Sequence, residues 1–524
     1  MTGHRLSAGS LPSTGATSSF SSTLKKYISF IGPGIMVSVA YMDPGNYSTA
    51  VSSGAEFGYD LLFVIFMSNL FAVVFQCLCV KLGSVTGLDL AEMCRMHLPY
   101  QLNLFLYVCA ELAIIATDLA EVVGTAISLE ILFGIPLLYG VLITVVDVLV
   151  VLLAYHKDGT MRQTRNFEIS VSLLVLGTCV CFIIELFKCD YSKGDLRNIL
   201  KGFLPLNLKT YENKNALFLS CAIVGSTVMP HSLFLGSALV QSRLKDYDEK
   251  HNIKGSQLVD TPHTAESEED YHVQRTKNLK TLSDGTSLLR KYKPSIHAIR
   301  YCLNFSYAEL VLSLFIIAVF VNAAILIVAG NSLFGKPDAE NADLLSIYEM
   351  LSFYISPAAG LIFALSMLFA GQSAGIVCTM AGQIISEGFI NWTVTPWVRR
   401  LTTRAIAVVP VIIVISIMGR EGVSKVMNSS QVVLSFILPA MSAPLIWFTC
   451  LKKYMTVNTA CVLDGSPSET TSLINPQQDS SDVTAEVETF ENGTFMKVAS
   501  ILTWLIITFL NIYLIYAFAH GADI

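Results

Sequence analysis

The chain has 524 residues, 53% of them hydrophobic and only 14% charged, with a mean hydropathy of +0.58. Soluble domains carry about 25% charged residues, so this composition excludes an ordinary soluble enzyme or nucleic-acid binder and indicates a polytopic membrane protein. The net charge of −6 is small for the length and points to no particular partner.

Residues 1–27 read as a disordered cytosolic N-terminus, rich in Ser, Thr and Gly and lacking the apolar run of a cleavable signal peptide. Windows of roughly 20 residues then predict eleven spans. They lie near 28–50, 61–80, 104–127, 131–155, 168–187, 216–242, 304–329, 354–385, 401–418, 432–451 and 497–519. Two polar stretches, 243–300 and 452–494, lack hydrophobic periodicity and read as disordered cytosolic loops. That leaves a ten-helix core over 28–451 and an eleventh helix within 495–524. Lys and Arg placement puts the N-terminus in the cytosol, although the nominally outer loop 188–215 carries six of them. Most of the twelve cysteines fall in apolar spans, and only Cys189 reads as an outer-loop thiol, so no disulfide framework is expected. The Cys77-x-Cys79 and Cys179-x-Cys181 pairs read as small hydrophobes rather than metal ligands.

The first and sixth spans are interrupted. One carries Asp43-Pro44-Gly45-Asn46 and the other Met229-Pro230-His231. Proline removes a backbone donor, and at membrane depth the freed carbonyls are tolerated only where they line a cavity or bind something. A carboxylate, an amide and a thioether at those breaks form a mixed hard and soft ligand set suited to a divalent transition metal. The first ten spans also divide into two halves of five, each opening with a broken helix. Five is odd, so the second half enters the membrane upside down, and paired interruptions of this kind mark a midplane site in inverted-repeat transporters.

Asp43-Pro44-Gly45-Asn46, Met229-Pro230-His231, Ala370-Gly371-Gln372-Ser373, Ala381-Gly382-Gln383 and Glu387-Gly388-Phe389 follow one another in an order that resembles the NRAMP family of proton-coupled divalent metal transporters. The resemblance runs from about residue 30 to 450 and is similar in pattern to fungal members. It implies an all-α polytopic membrane protein with a LeuT-like inverted repeat, five plus five helices with helices 1 and 6 broken, plus the eleventh. It also implies a symporter that moves Fe²⁺ or Mn²⁺ into the cytosol with H⁺ as the coupling ion, and no resident cofactor.

On this reading Asp43, Asn46 and Met229 hold the metal, and the resemblance implies the carbonyls of Ala40 and Ser226 as further ligands. Gln431, opening the tenth span, is a weaker candidate for closing the shell. The thioether favours Mn²⁺ and Fe²⁺ over the hard cations Ca²⁺ and Mg²⁺. For the proton, His231 lies two residues beyond Met229. Asp118 and Glu121 share a helix face at i, i+3, and the resemblance gives that pair a role in proton passage. Arg404 and Arg243 are candidate partners of the relay, whereas Arg399 and Arg400 read as positive-inside anchors. Asp147 and Glu185 read as structural or helix-end residues. One position departs from the family pattern. Many relatives carry a second histidine five residues after the first, where this chain has Gly236.

Expected partners are the metal ions, protons and the lipid bilayer, with no nucleic acid. Two acidic dileucine patterns, Asp284-Gly285-Thr286-Ser287-Leu288-Leu289 and Glu469-Thr470-Thr471-Ser472-Leu473-Ile474, read as sites for sorting adaptors. They favour a vacuolar or endolysosomal membrane over the plasma membrane or Golgi. The alternatives are an inverted-repeat carrier for an organic solute and a non-transporting metal sensor. A solute carrier needs donors for a carboxylate where this chain offers Asp43 and Met229, and a sensor needs a signalling domain. No His-Glu-x-x-His pattern supports an enzyme.

Overall fold

The computed structural model describes residues 33–154, 161–189, 191, 194–251, 293–336, 344–354, 356–391, 396–418, 421–458 and 487–520. Helices in chain order are α1 (Pro33–Val39), α2 (Pro44–Phe57), α3 (Leu62–Thr86), α4 (Leu90–His97), α5 (Tyr100–Phe133), α6 (Leu137–Ala154), α7 (Met161–Lys188) and α8 (Asp195–Gly202). They continue with α9 (Lys214–Thr227), α10 (Pro230–Lys250), α11 (Ile296–Leu333, with a π-helical stretch at Leu314–Val319) and α12 (Leu344–Tyr354). The last are α13 (Pro357–Ile390), α14 (Pro396–Met418), α15 (Glu421–Cys450) and α16 (Thr494–Ala519).

Eight helices among the described residues are long and apolar enough to cross a bilayer. The other three expected spans are the broken α1–α2 pair, α6 and α14, so the eleven expected spans are each accounted for. Their ends differ from the sequence estimate because amphipathic turns continue the helices beyond the apolar window. Thus α5 begins at Tyr100 and α10 runs to Lys250.

Packing between helices reveals the repeat. The second half of the broken sixth span, α10, packs on α3, and the second half of the broken first span, α2, packs on α11. Likewise α7 packs on α13 and α5 on α15, while α5 and α13 pack on each other. Exchanging span n for span n+5 maps each of these pairs onto its counterpart. The inversion is visible at the ends. Asp60, just past α2, accepts from Asn207 Nδ2 and Thr210 Oγ1 at 2.7 Å each, just before α9 begins. The chain therefore leaves the first break and approaches the second on the same side. On the opposite side, Gly34 N–H at the head of α1 donates to Glu309 Oε1 of α11 at 2.9 Å.

Three short helices were not foreseen. Of these, α4 is closed by a capping box in which Asp89 and Glu92 exchange side-chain and backbone bonds of 2.9 Å. It lies against Gly388, where an added Cβ would run into Ala91 Cβ. That contact explains the glycine in Glu387-Gly388-Phe389.

Secondary structure is present at the ends of both polar stretches. Helix α10 extends to Lys250, and Asp248 closes the base of the loop by accepting from Ser295 N–H at 3.0 Å. The ends of the second stretch are ordered, with Thr456–Asn458 (β1) pairing antiparallel with Val487–Thr489 (β2). Both adaptor patterns and residues 1–27 lie outside the described residues. The eleven described cysteines are free, and Cys189 is buried at the end of α7 rather than exposed in a loop.

Candidate metal and proton site

Each break forms where a proline starts a new helix. Asp43 is the N-cap of α2 with Pro44 behind it, and Met229 is the N-cap of α10 with Pro230 behind it. An α-helix would bond the Ala40 carbonyl to residue 44 and the Ser226 carbonyl to residue 230. Both of those residues are prolines, so both carbonyls are released. The same chemistry thus operates at both breaks.

Asp43, Asn46, Met229, Ala40, Ser226 and Gln431 are all buried. Asp43 Oδ1 accepts from the Asn46 backbone at 3.0 Å and from Asn46 Nδ2 at 2.8 Å. Asn46 Nδ2 also donates to the freed Ser226 carbonyl at 3.0 Å, while its Oδ1 receives the Thr227 hydroxyl at 3.5 Å. Because Asp43 Oδ1 and Ser226 O are both acceptors, they fix the amide with its nitrogen between them. Asp43 Oδ2 is buried without a hydrogen-bond donor.

Gln431 does not open its span. It sits well inside α15, and its side chain lies over Gly45, where an added Cβ would meet the carboxamide. Its backbone carbonyl lies against Gly225, one residue before Ser226. Glycine at 45 and 225 is therefore what lets α15 reach both breaks. Gln431 Oε1 is buried and unpartnered.

The proposed relay runs from this site across α5 to α14. His231 Nδ1 lies 3.4 Å from the Thr117 hydroxyl, which neighbours Asp118 in the chain. Arg404 Nη1 is 3.6 Å from Asp118 Oδ1 and 3.3 Å from Glu121 Oε2, with all three side chains buried. The guanidinium offsets the repulsion expected between two carboxylates on one helix face. Cys378 of α13 donates its thiol to Asp118 Oδ1 at 3.4 Å. Thr117 and Cys378 were missed because a hydroxyl or thiol in an apolar helix carries no signal of its own.

Arg399 is not an exposed anchor: it pairs with Glu111 at 2.5 Å, seven residues before Asp118. Gly375 and Gly382 on α13 leave space beside Arg404 and Arg399 respectively. Arg243 stands about 18 Å along α10 from His231 at 1.5 Å per residue, its carbonyl accepting from the Cys302 thiol at 3.8 Å. It is therefore remote from His231 along the helix. Glu185 lies in the last turn of α7, fully buried against Val51, Phe182, Ile325 and Phe363, and neither carboxylate oxygen has a hydrogen-bond partner. The side chains of Asp147 and Arg400 lie outside the described set.

A family model described as "Natural resistance-associated macrophage protein-like" matches residues 34–463. The chain belongs to the Nramp family. "Iron transporter SMF3" of Saccharomyces cerevisiae is 51% identical over 97% of this chain and 99% of its own length. "Manganese transporter SMF1" of the same yeast is 46% identical over 95% of this chain and 87% of its own. A "Divalent metal cation transporter MntH" from Mesorhizobium japonicum is 37% identical, covering 82% and 83% of the two chains. Among solved structures, a manganese transporter of Eremococcus coleocola superposes with a TM-score of 0.69 at 29% identity, covering 96% of this chain and 87% of the other. The Nramp fold identified here is thus the inverted repeat with two broken helices.

Proposed function

We propose that this Nramp chain is a symporter that carries Fe²⁺ or Mn²⁺ into the cytosol together with protons, by alternating access. The observation that carries this reading is the meeting of the two breaks. Asp43, Asn46 and the freed Ser226 carbonyl converge within hydrogen-bond distance, and Met229 caps the opposing helix. A divalent cation supplies the positive charge that this buried set of acceptors lacks, and Met229 supplies the soft donor that favours transition metals. The names of the relatives, an iron transporter and manganese transporters, support the same substrate class.

Proton coupling is supported by the buried polar groups of α5, where Thr117 lies within reach of His231 and Asp118 and Glu121 pair with Arg404. We place the N-terminus in the cytosol and the protein in a vacuolar or endolysosomal membrane, where an acidic lumen would drive metal outward to the cytosol. Adaptors binding at Asp284–Leu289 and Glu469–Ile474 would set that address.

The deciding experiment is metal influx into proteoliposomes holding a metal-quenched dye. Uptake of Mn²⁺ or Fe²⁺ stimulated by an acidic exterior, and lost in Asp43→Ala, supports the reading. Sealed, folded protein that moves no divalent metal at any pH overturns it in favour of a metal sensor.

A further inference from the structure

Glycine at 236 is buried on α10, and the atoms that meet a Cβ built there belong to α3. They are Gln76 Oε1, which it would overlap, Gln76 Cδ at 3.2 Å and Cys79 Cβ at 3.4 Å. The overlapping atom is the far end of a side chain and not backbone. A methyl at 236 would therefore leave the helices in place and push the Gln76 amide aside.

That amide has a defined task. Gln76 Nε2 lies 2.9 Å from the Tyr41 hydroxyl, 2.9 Å from Ser232 Oγ and 3.0 Å from the Ser232 carbonyl. The carbonyl can only accept, so the nitrogen must face this cluster and Oε1 must face Gly236. Oε1 is buried there without a donor. Tyr41 belongs to the unwound segment two residues before Asp43, and its own carbonyl is held by Asn322 Nδ2 of α11 at 2.9 Å. Ser232 lies in the first turn of α10, and its hydroxyl donates to the Met229 carbonyl at 2.7 Å. Tyr41 and Ser232 also meet directly, hydroxyl to hydroxyl, at 3.1 Å.

We infer that Gln76 is a positioning residue for metal binding, one that ties the Asp43 break to the Met229 break through Tyr41 and Ser232, and that Gly236 is small in order to admit it. The inference rests on the metal-site reading above. Two ligands on separate helices keep a selective spacing only if something rigid fixes one helix against the other. A side-chain amide that shares two protons among three acceptors on both breaks does this without adding a charge. It acts on the separation of carboxylate and thioether, and hence on discrimination between Mn²⁺ and Ca²⁺.

The test is a double-mutant cycle on the full-length chain in nanodiscs, read as Mn²⁺ and Ca²⁺ affinity by titration calorimetry. Gly236→Ala and Gln76→Ala should each weaken Mn²⁺ binding by roughly tenfold and narrow the Mn²⁺ over Ca²⁺ preference. Because Ala at 76 vacates the contested space, the double variant should be no weaker than Gln76→Ala alone. Gln76→Leu, which keeps the bulk and lacks the donors, should match Gln76→Ala. Size-exclusion profile and Tm identify any variant that fails to fold. Should Gly236→Ala do so, Gln76→Leu decides alone. Additive losses in the double variant, or unchanged Mn²⁺ affinity in folded Gln76→Leu, overturn the inference. If Asp43→Ala binds Mn²⁺ as wild type does, the metal site itself falls and takes this inference with it. That failure is told apart by its independence of residues 76 and 236.

Discussion

Asn46 on α2 donates from Nδ2 to the Ser226 carbonyl of α9 at 3.0 Å, so a single amide spans both helix breaks. The same nitrogen bonds Asp43 Oδ1 at 2.8 Å. An N–H₂ group thus stands between two acceptors that would otherwise face each other, and a cation bound there must turn the amide to face it with oxygen. Asn46→Asp replaces the donor by a third acceptor. Unpaired buried polar groups cost about 1–3 kcal/mol each, so the variant should show a lower Tm than wild type in chelator. Added Mn²⁺ should raise its Tm by more than it raises that of wild type, since a ligand stabilises the state it binds. Equal Mn²⁺-induced shifts in the two proteins would show that the amide does not border the metal.

Met229 offers a soft donor at the second break, and its position is set by Pro230 behind it. Met229→Ala should keep Mn²⁺ transport within about tenfold of wild type while admitting Ca²⁺, because hard cations lose nothing when sulfur is withdrawn. Competition of Ca²⁺ against Mn²⁺ uptake in proteoliposomes measures this. Ca²⁺ exclusion as strict as in wild type would assign selectivity elsewhere, with the oxygen donors and the spacing of the breaks as the remaining determinants.

Both prolines and the odd number of spans per half are visible in the amino-acid order, which is why the inverted repeat and the Asp43 and Met229 positions are legible there. What is not legible is partnership across helices. Arg399 reads as an anchor until Glu111 is seen beside it. Gln431 reads as a helix opener from the apolar window, yet α15 begins ten residues earlier at Glu421. Glu185 gave no hint of its partnerless burial, since one carboxylate near a helix end has an ordinary explanation. Gly236 read as a missing histidine, and only the Gln76 contact gives it a positive role.

Arg404 is the cation shared by Asp118 and Glu121, and all three are buried. Removing one partner from a buried ionic cluster costs on the order of 3–5 kcal/mol. Arg404→Ala should therefore lower Tm sharply, while Arg404→Lys should fold but bridge the two carboxylates poorly, being a point charge without the planar fork. In Arg404→Lys, Mn²⁺ affinity should stay near wild type and the stimulation of uptake by external acid should fall. Parallel losses of affinity and of acid stimulation would instead make Arg404 part of the metal site.

His97, at the end of α4, packs on Tyr454 at a ring-centroid distance of 4.8 Å and on Phe448 at 5.9 Å. Partial burial, and then the nearby Lys453 charge, lower its pKa below the ordinary imidazole value. A group whose folded pKa is depressed lends stability that is complete above its unfolded pKa, about 6.5, and is lost as pH falls toward the folded value. The contact that holds the start of β1 should thus loosen on the acid side of neutrality. His97→Phe keeps the ring and removes the titration, so the Tm of wild type should drop more than that of the variant between pH 7.5 and 5.5. Identical drops would exclude His97 as the source.

Gly225 and Gly45 both admit Gln431, but they meet different atoms, which predicts different outcomes. A Cβ at 225 would overlap the Gln431 backbone carbonyl and come within 2.7 Å of Ser435 N. Neither atom can move without shifting α15. The atoms nearest a Cβ at 45 are those of the Gln431 carboxamide, which can rotate. Overpacking against backbone costs about 1–3 kcal/mol or more, so Gly225→Ala should lower Tm and remain low when combined with Gln431→Ala. Gly45→Ala should be milder, and Gln431→Ala should relieve it by emptying the space. Rescue of both glycine variants by Gln431→Ala would mean that side-chain packing alone brings α15 to the breaks. Rescue of Gly45→Ala alone would establish backbone contact at Gly225 as the fixed point about which the second break is set.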